Sequence, residues 1–223
     1  MRLALFDLDG TLLPTDSDHA FNEYVVGLGW ADAADYRRRN DAFYADYLAG
    51  QLDIADYIDF ATAPWRHRSE EEIAAASAGF IRDVMQPAIR ERAQALVQRH
   101  RDAGDLLAIV TATNEFVTRP IADLFGIDAL IATELSRDAT GRITGGIAGV
   151  PAFREGKVTR VTDWLAQRGL KQSGLDSSTF YSDSLNDLPL LEWVSHPVAT
   201  NPGPELQRLA EARRWPVLRL FDS

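Results

Sequence analysis

The stretch RLALFDLDGT, residues 2–11, places a short apolar run directly before two carboxylates. We predict a buried strand over residues 2–6, because an uninterrupted apolar run is typical of a strand covered on both faces. Asp7 and Asp9 stand two residues apart on an extended chain, so their side chains point the same way. Carboxylates this close repel each other unless a cation joins them or one of them keeps its proton. The alternative interpretation is a turn at Gly10 beside two incidental acids.

A second strand end carries acids as well. Residues 179–182 are predicted to form a strand that runs into Asp183, and Asp187 follows four residues later. Asp187 also fits the start of a helix, where the helix dipole favours an acid. Three acids at the ends of two strands, Asp7, Asp9 and Asp183, indicate a hard cation with oxygen ligands, for which Mg²⁺ is the best match.

Two further positions indicate an anion site. Thr111 and Ala112 follow an apolar run over residues 106–110 and precede a predicted helix, so a hydroxyl and backbone N–H groups can face an anion there. Lys157 opens a predicted helix over residues 156–168, although a cation at a helix start opposes the helix dipole. A residue such as Lys157 that is locally unfavourable, and that lies beside a loop near the strand ends, is a hint of function. Helix capping by Thr111 and a solvated surface position for Lys157 are the competing interpretations.

The second half of the chain alternates between predicted strands and helices, with a hairpin predicted inside residues 137–147. This alternation predicts an α/β fold, a Rossmann-like parallel sheet with helices on both faces. Residues 16–101 show helical spacing instead, and we predict about four helices there. They would form a cap inserted after the first strand, above the carboxyl ends of the strands, where such sheets bind ligands. The predicted division is therefore a core of residues 1–15 and 102–223 and a cap of residues 16–101.

The composition limits the partners of this chain. Its 223 residues include 33 acidic side chains against 23 Lys and Arg, a formal net charge of −10. Neither nucleic acid nor an anionic membrane surface is an expected partner, because both need clustered Lys and Arg. The absence of Cys excludes disulfides and thiolate sites. No apolar stretch fits a signal peptide or a membrane span, so we expect a cytoplasmic protein.

Taken in order, the four motifs resemble those of the haloacid dehalogenase-like phosphatase superfamily. They are DLDGT at residues 7–11, then Thr111, then Lys157, then Asp183 with Asp187. An all-helical insertion directly after the first motif is similar to the branch that contains phosphoserine phosphatase. The stretches PAFREGK at residues 151–157 and YSDS at residues 181–184 look closer to members of that branch described as histidinol-phosphatases or left uncharacterised. The resemblance covers essentially the whole chain.

The resemblance implies a role for each acid of the first motif. Asp7 would be the nucleophile and form an aspartyl phosphate, and Asp9 would be the general acid that protonates the leaving alkoxide and then activates water. Mg²⁺ would be held by Asp7, Asp9 and Asp183, with Asp9 contributing its backbone carbonyl in the usual family arrangement. The cation would neutralise charge on the phosphoryl oxygens.

The other motif residues would hold the phosphoryl group from the opposite side. The resemblance assigns Thr111, Ala112 and Lys157 to the phosphoryl oxygens. It assigns Asp187 to orienting Lys157 or a metal-bound water.

Five residues are candidates for contacts to the rest of the substrate. Asp16 matches the position where phosphoserine phosphatases carry an acid that contacts the substrate amine, although Asp16 can equally cap the next helix. Arg66 and Arg68 belong to a basic cluster, WRHR, that could bind a substrate carboxylate or simply cover the surface. Asn186 matches a residue that faces the bound phosphate or substrate, and Arg154 stands in the loop before Lys157.

The function that this resemblance implies is Mg²⁺-dependent hydrolysis of the phosphomonoester of a small metabolite. The best substrate match is histidinol phosphate or a phosphoserine-like amino-alcohol phosphate. A phosphotransferase or phosphomutase using the same aspartyl phosphate is an alternative, and so is a protein that binds a phosphometabolite without catalysis. We expect a monomer or a homodimer.

Overall fold

A central strand that is buried on both faces organises the molecule. The computed structural model describes residues 1–221. In it the six strands of the main sheet lie in the order β3-β2-β1-β6-β7-β8, and every neighbouring pair is parallel. This confirms the predicted Rossmann-like α/β fold. The bounds of these strands are β1 Arg2–Phe6, β2 Leu106–Asn114, β3 Leu130–Thr133, β6 Ser177–Ser182, β7 His196–Thr200 and β8 Val217–Leu218.

Alternate residues of β1 pack against helices on opposite faces of the sheet, as the two-residue period of a strand requires. Leu3 and Leu5 join one apolar cluster, and Ala4 and Phe6 join the other. Helices α8 (Glu155–Ala166) and α10 (Pro204–Arg213) contribute to the first cluster, and helices α6 (Glu91–Asp102) and α7 (Glu115–Leu124) to the second. The helices that follow β2 are α7 Glu115–Leu124, α8 Glu155–Ala166, α9 Leu188–Trp193 and α10 Pro204–Arg213.

The chain between β1 and β2 is helical, as predicted, and the described residues there form no further strand of the sheet. Three of the first four helices begin at an Asp that accepts a backbone N–H bond, and the fourth begins at a capping box on Ser69. The elements are α1 Ser17–Gly27, α2 Ala33–Leu48, α3 Ile54–Thr62, α4 Glu70–Phe80, a π-helical turn Ile81–Met85, α5 Gln86–Ala88 and α6 Glu91–Asp102. Within residues 1–221 no helix is long and apolar enough to span a membrane.

The last of these helices, α6, packs beneath the sheet. His100 near its end contacts Phe6 edge-on and shares a 2.8 Å hydrogen bond with the hydroxyl of Tyr181 in β6. The division of the chain into a core and a cap remains a proposal. This contact favours placing the second boundary of the cap before α6, near residue 90, instead of at residue 101.

The predicted hairpin consists of β4 Leu135–Arg137 and β5 Ile143–Ile147, which pair antiparallel. Asp138 shapes its turn by accepting bonds from the backbone N–H groups of Thr140 and Arg142. Helix α3 of the inserted segment packs against β5. The hairpin therefore gives the inserted helices a support outside the main sheet.

Trp65 is one of the aromatic side chains, with Phe21, that join the inserted segment to Phe116 of α7. It is 1% exposed, stacks on Phe116 of α7 at 4.5 Å between ring centroids, and donates its indole N–H to the carbonyl of Ala61. We expect Trp65→Ala to lower the free energy of unfolding by about 3–5 kcal/mol, because it leaves a large cavity at this junction. Urea unfolding measures the loss. Leu48→Ala, at a side chain that is 68% exposed, is the control and should cost less than about 0.5 kcal/mol. Equal losses for the two variants would show that Trp65 does not join the two parts.

Candidate active site

The sheet order brings three functional loops to one edge. Strand β1 lies between β2 and β6, and Phe6 is in register with Ile109 on one side and Tyr181 on the other. Parallel strands end on the same side, so Asp7, Thr111 and Asp183 meet at the carboxyl edge of the sheet.

Lys157 lies between two buried carboxylates. Its Nζ donates to Oδ1 of Asp7 at 2.9 Å and to the carboxylate of Asp187 at 2.7 Å, and the lysine is 1% exposed. These two charges hold the pKa of Lys157 above its usual value although burial opposes the charged form. Lys157 does stand in the first turn of α8, as predicted, so the two acids explain why a cation occupies that position.

Asp187 is held by Lys157 and by the hydroxyl of Ser182, which donates to it at 2.7 Å. Burial raises the pKa of Asp187 to about 6, and the ammonium of Lys157 opposes that rise. Burial likewise raises the pKa of Asp7, again against Lys157. One ammonium thus donates hydrogen bonds to two carboxyls, and its bond to Asp187 holds it beside Asp7.

Thr11 links Asp7 to Asp183. Its Oγ1 lies 3.3 Å from Oδ2 of Asp7 and 3.1 Å from Oδ1 of Asp183, and it accepts the backbone N–H of Asp183 at 3.0 Å. A hydroxyl carries one proton and can satisfy only one carboxylate at a time. Burial, followed by the charges of Asp7 and Asp187, raises the pKa of Asp183 well above its usual value. Asp7, which is buried, and Asp183, which is partly buried, therefore lie on either side of one hydroxyl, and no cationic side chain among the described residues pairs with Asp183.

This pair suits Mg²⁺, which usually binds one or two protein carboxylates and fills its other positions with water and phosphate oxygens. Within residues 1–221 no three His, Asp or Glu side chains converge in the arrangement of a metal site. Both side-chain oxygens of Asp9 are already hydrogen-bonded, one to the backbone N–H of Ser17 at 2.7 Å and one to the hydroxyl of Thr113 at 2.9 Å. The backbone carbonyl is the oxygen of Asp9 that these two side-chain bonds leave unused, and its part in a cation site stays a prediction.

Asp9 has the environment of a proton donor. Burial, reinforced by the nearby charge of Asp16, raises its pKa to about 7, while the bonds from Ser17 and Thr113 oppose the rise. A carboxyl with this pKa exchanges its proton near neutrality, as general acid–base catalysis requires. Neither Ser17 nor Thr113 was a predicted site residue; their roles depend on the tertiary approach of α1 and β2.

Strand β2 continues past the predicted Leu106–Val110 run, and its last residues form one wall of a cavity next to Asp7 and Asp9. Thr111, Ala112 and Thr113 all line this cavity. Thr111 is buried, and its hydroxyl accepts the backbone N–H of Thr113 at 3.2 Å. Asn114 caps α7 by accepting the backbone N–H of Val117. The end of β2 therefore presents Thr111 and Ala112 to the cavity before the helix begins.

The inserted helices form the opposite wall. Asp16 lines the cavity and also caps α1 by accepting the backbone N–H of His19 at 2.8 Å. The capping interpretation holds, and the contact between Asp16 and a substrate amine stays a prediction. The remaining cap-side lining consists of acidic, amide, aromatic and aliphatic side chains, namely Asp18, His19, Asn40, Phe43, Tyr44, Tyr47, Leu52, Ile54 and Tyr57.

The interpretation of Arg66 and Arg68 as substrate-binding residues needs correction. Neither arginine lines the cavity, and both instead contact acidic or aromatic side chains of the inserted segment. Arg66 donates to Oδ1 of Asp59 at 2.6 Å. Arg68 lies 4.6 Å from the ring centroid of Trp30 and bonds to Glu72.

Arg154 and Asn186 occupy the groove beside Asp183, outside the cavity lining. Asn186 Nδ2 donates to the carbonyl of Tyr47 at 2.9 Å, and the guanidinium of Arg154 donates to the carbonyl of Gly50. In this arrangement both predicted substrate contacts instead fasten the end of α2 to the loops of the sheet.

A parallel sheet with these strand-end acids, one buried lysine and a helical insertion defines a phosphatase of a known class. The chain matches the family model of haloacid dehalogenase-like hydrolases over residues 4–192 and belongs to that family. It is 45% identical over 217 residues to the histidinol-phosphatase of Neisseria meningitidis serogroup C, which covers 97% of this chain and 98% of that protein. It is 30% identical over 220 residues to a phosphoserine phosphatase of Mycobacterium tuberculosis, which covers 96% of this chain and 69% of that one.

Two solved structures share the fold of this chain. A protein of unknown function from Bordetella pertussis has a TM-score of 0.93 and 49% identity, with 99% of both chains covered. A substrate-bound phosphoserine phosphatase has a TM-score of 0.68 at 15% identity, with 97% of this chain and 91% of that one covered, and shows the shared fold. The resemblance drawn from the four motifs is confirmed, and the chain is a phosphatase of this family.

Gly10 gives a test of how tightly the acids are packed. It has φ +71°, and a Cβ there would lie 2.3 Å from Oδ2 of Asp183. Gly29 has φ +76° with nothing within 4 Å of its virtual Cβ, so it shares the backbone strain without the collision. Both alanine variants should lose about 1–2 kcal/mol of stability from the left-handed backbone. Gly10→Ala should in addition lower kcat on phenyl phosphate about 100-fold by displacing Asp183. Urea unfolding and phosphate release measure the two effects, and equal kcat values for the two variants would contradict the packing argument.

Proposed function

We propose that this chain hydrolyses the phosphomonoester of a small amine-bearing metabolite by transferring the phosphoryl group first to Asp7 and then to water. The observation that carries the proposal is the buried Asp7 carboxylate at the end of β1, held at 2.9 Å by the ammonium of Lys157. A nucleophilic carboxylate must be ionised, and the adjacent positive charge favours that form against burial.

The phosphoryl oxygens would be bound by the groups that surround Asp7. Lys157 carries positive charge to this position, and the hydroxyl of Thr111 with the backbone N–H of Ala112 supplies uncharged donors from the opposite loop. Such preorganised donors stabilise the charge that spreads over the equatorial oxygens during phosphoryl transfer. Asp187 keeps the ammonium in place through its 2.7 Å contact.

Asp9 would handle the protons of both half-reactions. In the first it gives its proton to the departing alkoxide, and in the second it takes a proton from the attacking water. A pKa of about 7 lets one carboxyl perform both transfers near neutrality. The hydrogen bonds from Ser17 and Thr113 fix its orientation.

Mg²⁺ is the proposed cofactor, held by the carboxylates of Asp7 and Asp183 and by the backbone carbonyl of Asp9. When bound, it supplies positive charge that neutralises the phosphoryl oxygens. Thr11 orients both carboxyls before the cation arrives.

The proposed substrate is an amino-alcohol phosphate, with histidinol phosphate as the first choice and phosphoserine as the second. Asp16 supports an amine, because it places a half-buried carboxyl in the cavity close to Asp9. The Neisseria relative carries the name histidinol-phosphatase and covers nearly the whole chain. Arg66 and Arg68 are not part of this proposal.

The covalent step predicts a severe defect for Asp7→Asn. The amide keeps the size of the side chain but is not a nucleophile, so kcat should fall at least about 1,000-fold while the melting temperature shows a folded protein. Mass spectrometry of acid-quenched wild-type enzyme should locate a phosphoryl group on Asp7. Asp46→Asn, an exposed acid of α2 outside the cavity, is the matched control and should keep full activity. A tenth of the wild-type rate in Asp7→Asn would exclude the aspartyl phosphate.

Metal removal should stop the reaction and change stability. We expect excess chelator to abolish phosphate release and Mg²⁺ to restore it. Mg²⁺ should also stabilise the folded wild type, by about 2.7 kcal/mol when free Mg²⁺ is 100 times its Kd. Asp183→Asn should remove this stabilisation, and thermal unfolding with and without Mg²⁺ measures it. Undiminished activity in chelator, or equal stabilisation of both proteins, would contradict the assignment.

A further inference from the structure

The cavity beside Asp9 is lined by acids without a matching cation. Asp16 and Asp18 face it from the start of α1, in addition to Asp7 and Asp9 of the reaction centre. No Lys or Arg occurs among its lining residues, all of which lie in the described part of the chain. The ring of His19 also lines the cavity, but it is hydrogen-bonded to Asp41 at 3.1 Å. A ligand that fits here must bring positive charge and cannot bring a carboxylate without repulsion.

Asp18 is a buried acid that has no role in the proposed reaction. It is 4% exposed, and its Oδ1 accepts the side-chain N–H of Asn114 at 3.3 Å. Burial, with the charges of Asp16 and Asp9, raises its pKa to about 8, although Tyr57 and Asn114 hydrogen bonds oppose the rise. Burying a carboxyl costs free energy that a cationic ligand would offset.

A purely structural role does not account for both the burial of Asp18 and its position in the cavity lining. The first turn of a helix favours an acid through the dipole, and Asn22, Asn40 and Tyr36 extend a polar network nearby. An acid that served only the dipole would gain as much from a solvent-exposed position on the same turn. Asp18 instead lies in the lining of a cavity that is continuous with Asp7.

Aromatic side chains flank Asp18 on the cap side. Tyr57 contacts its carboxyl, and the rings of Phe43 and Tyr57 lie 5.4 Å apart, edge to face. Tyr44 adds a third ring to the lining, and Leu52 and Ile54 complete it with aliphatic surface. Aromatic faces attract cations and flat rings, so this wall suits a protonated heterocycle.

The two cap acids have different neighbours. Asp16 precedes Ser17, whose backbone N–H bonds to Asp9, and so it stands beside the leaving group. Asp18 is tied instead to Asn114 at the end of β2 and to Tyr57 of α3. A substrate with one nitrogenous group close to the ester and a second one further along its chain would meet both acids.

Resting on the proposed function, we infer that Asp18 is a specificity-determining residue that binds a second, ring-borne cationic group of the substrate. The substrate class is then the phosphate ester of an amino alcohol that carries a protonatable ring and lacks a carboxylate. The inference separates the two substrates left open above, because histidinol phosphate has this composition and phosphoserine carries a carboxylate instead of a ring.

Four phosphate esters test the contributions of the amine, the ring and the carboxylate separately. Phenyl phosphate has neither amine nor carboxylate, ethanolamine phosphate has the amine alone, L-histidinol phosphate adds the ring, and O-phospho-L-serine adds a carboxylate. The measurement is kcat/KM for each ester with wild type, Asp16→Asn, Asp18→Asn and the exposed control Asp46→Asn. Melting temperatures accompany each variant.

We expect wild type to prefer histidinol phosphate over phosphoserine by at least about 100-fold, since like charges meet in the second case. Asp18→Asn should lower the ratio of kcat/KM for histidinol phosphate over ethanolamine phosphate by about 10–100-fold, the loss of one charge-assisted hydrogen bond. Asp16→Asn should lower kcat/KM for ethanolamine phosphate and for histidinol phosphate together, relative to kcat/KM for phenyl phosphate. The control Asp46→Asn should leave all ratios as they are.

The outcomes separate this inference from the function beneath it. An unchanged ratio in Asp18→Asn, or equal losses on all four esters, would overturn the role of Asp18. Equal use of phosphoserine and histidinol phosphate by wild type would overturn the substrate class, and this comparison needs no variant to fold. Two other results would instead count against the proposed phosphatase chemistry. One is that wild type does not hydrolyse phenyl phosphate, and the other is that Asp7→Asn still hydrolyses it.

Discussion

The ammonium of Lys157, shared between Asp7 and Asp187, is the interaction on which the site depends. Several carboxyls end up buried at one sheet edge because three parallel strands stop there, and burying unpaired charge is costly. Lys157 meets two of them directly and leaves Asp183 without a cationic partner among the described residues. The edge is therefore stable enough to form and still deficient in positive charge, which is the condition under which a divalent cation and a phosphoryl group bind together.

The inserted helices take part in the electrostatics of the reaction centre as well as covering it. Asp9 owes its raised pKa to burial and to Asp16, and one of its oxygens is held by the backbone of Ser17, all at the start of α1. Asp9 thus has its raised pKa because the start of α1 lies over the end of β1. Arg154 and Asn186 fasten the far side of the cap by reaching the carbonyls at the end of α2. Movement of the cap would change the pKa of Asp9 and the access of water together.

The sequence predicted those features that local pattern determines. An apolar run that ends in Asp predicts β1. A lysine at a helix start opposes the helix dipole, and the two carboxylates around Lys157 explain why it stands there. The Arg66 and Arg68 interpretation was wrong because it required knowing that Asp59 and Glu72 would take their charges. Asp18 was missed as a site residue although it belongs to the same acidic run as Asp16. Its burial against Asn114 of β2 joins residues 96 positions apart, and no local pattern reports such a contact.

The division of labour between the two parts of the chain follows from where each set of residues is anchored. Asp7, Thr111 and Asp183 sit at strand ends, whose positions are fixed by backbone register, so a phosphoserine phosphatase at 15% identity retains the same fold. The cavity wall that meets the leaving group comes from helix surfaces, where a side chain can be exchanged without disturbing the sheet. Reaction chemistry is therefore constrained by the sheet, whereas substrate choice is free to vary with the cap. A cavity rich in carboxyls and aromatic rings is one outcome of that freedom, and its described lining residues include no Lys or Arg.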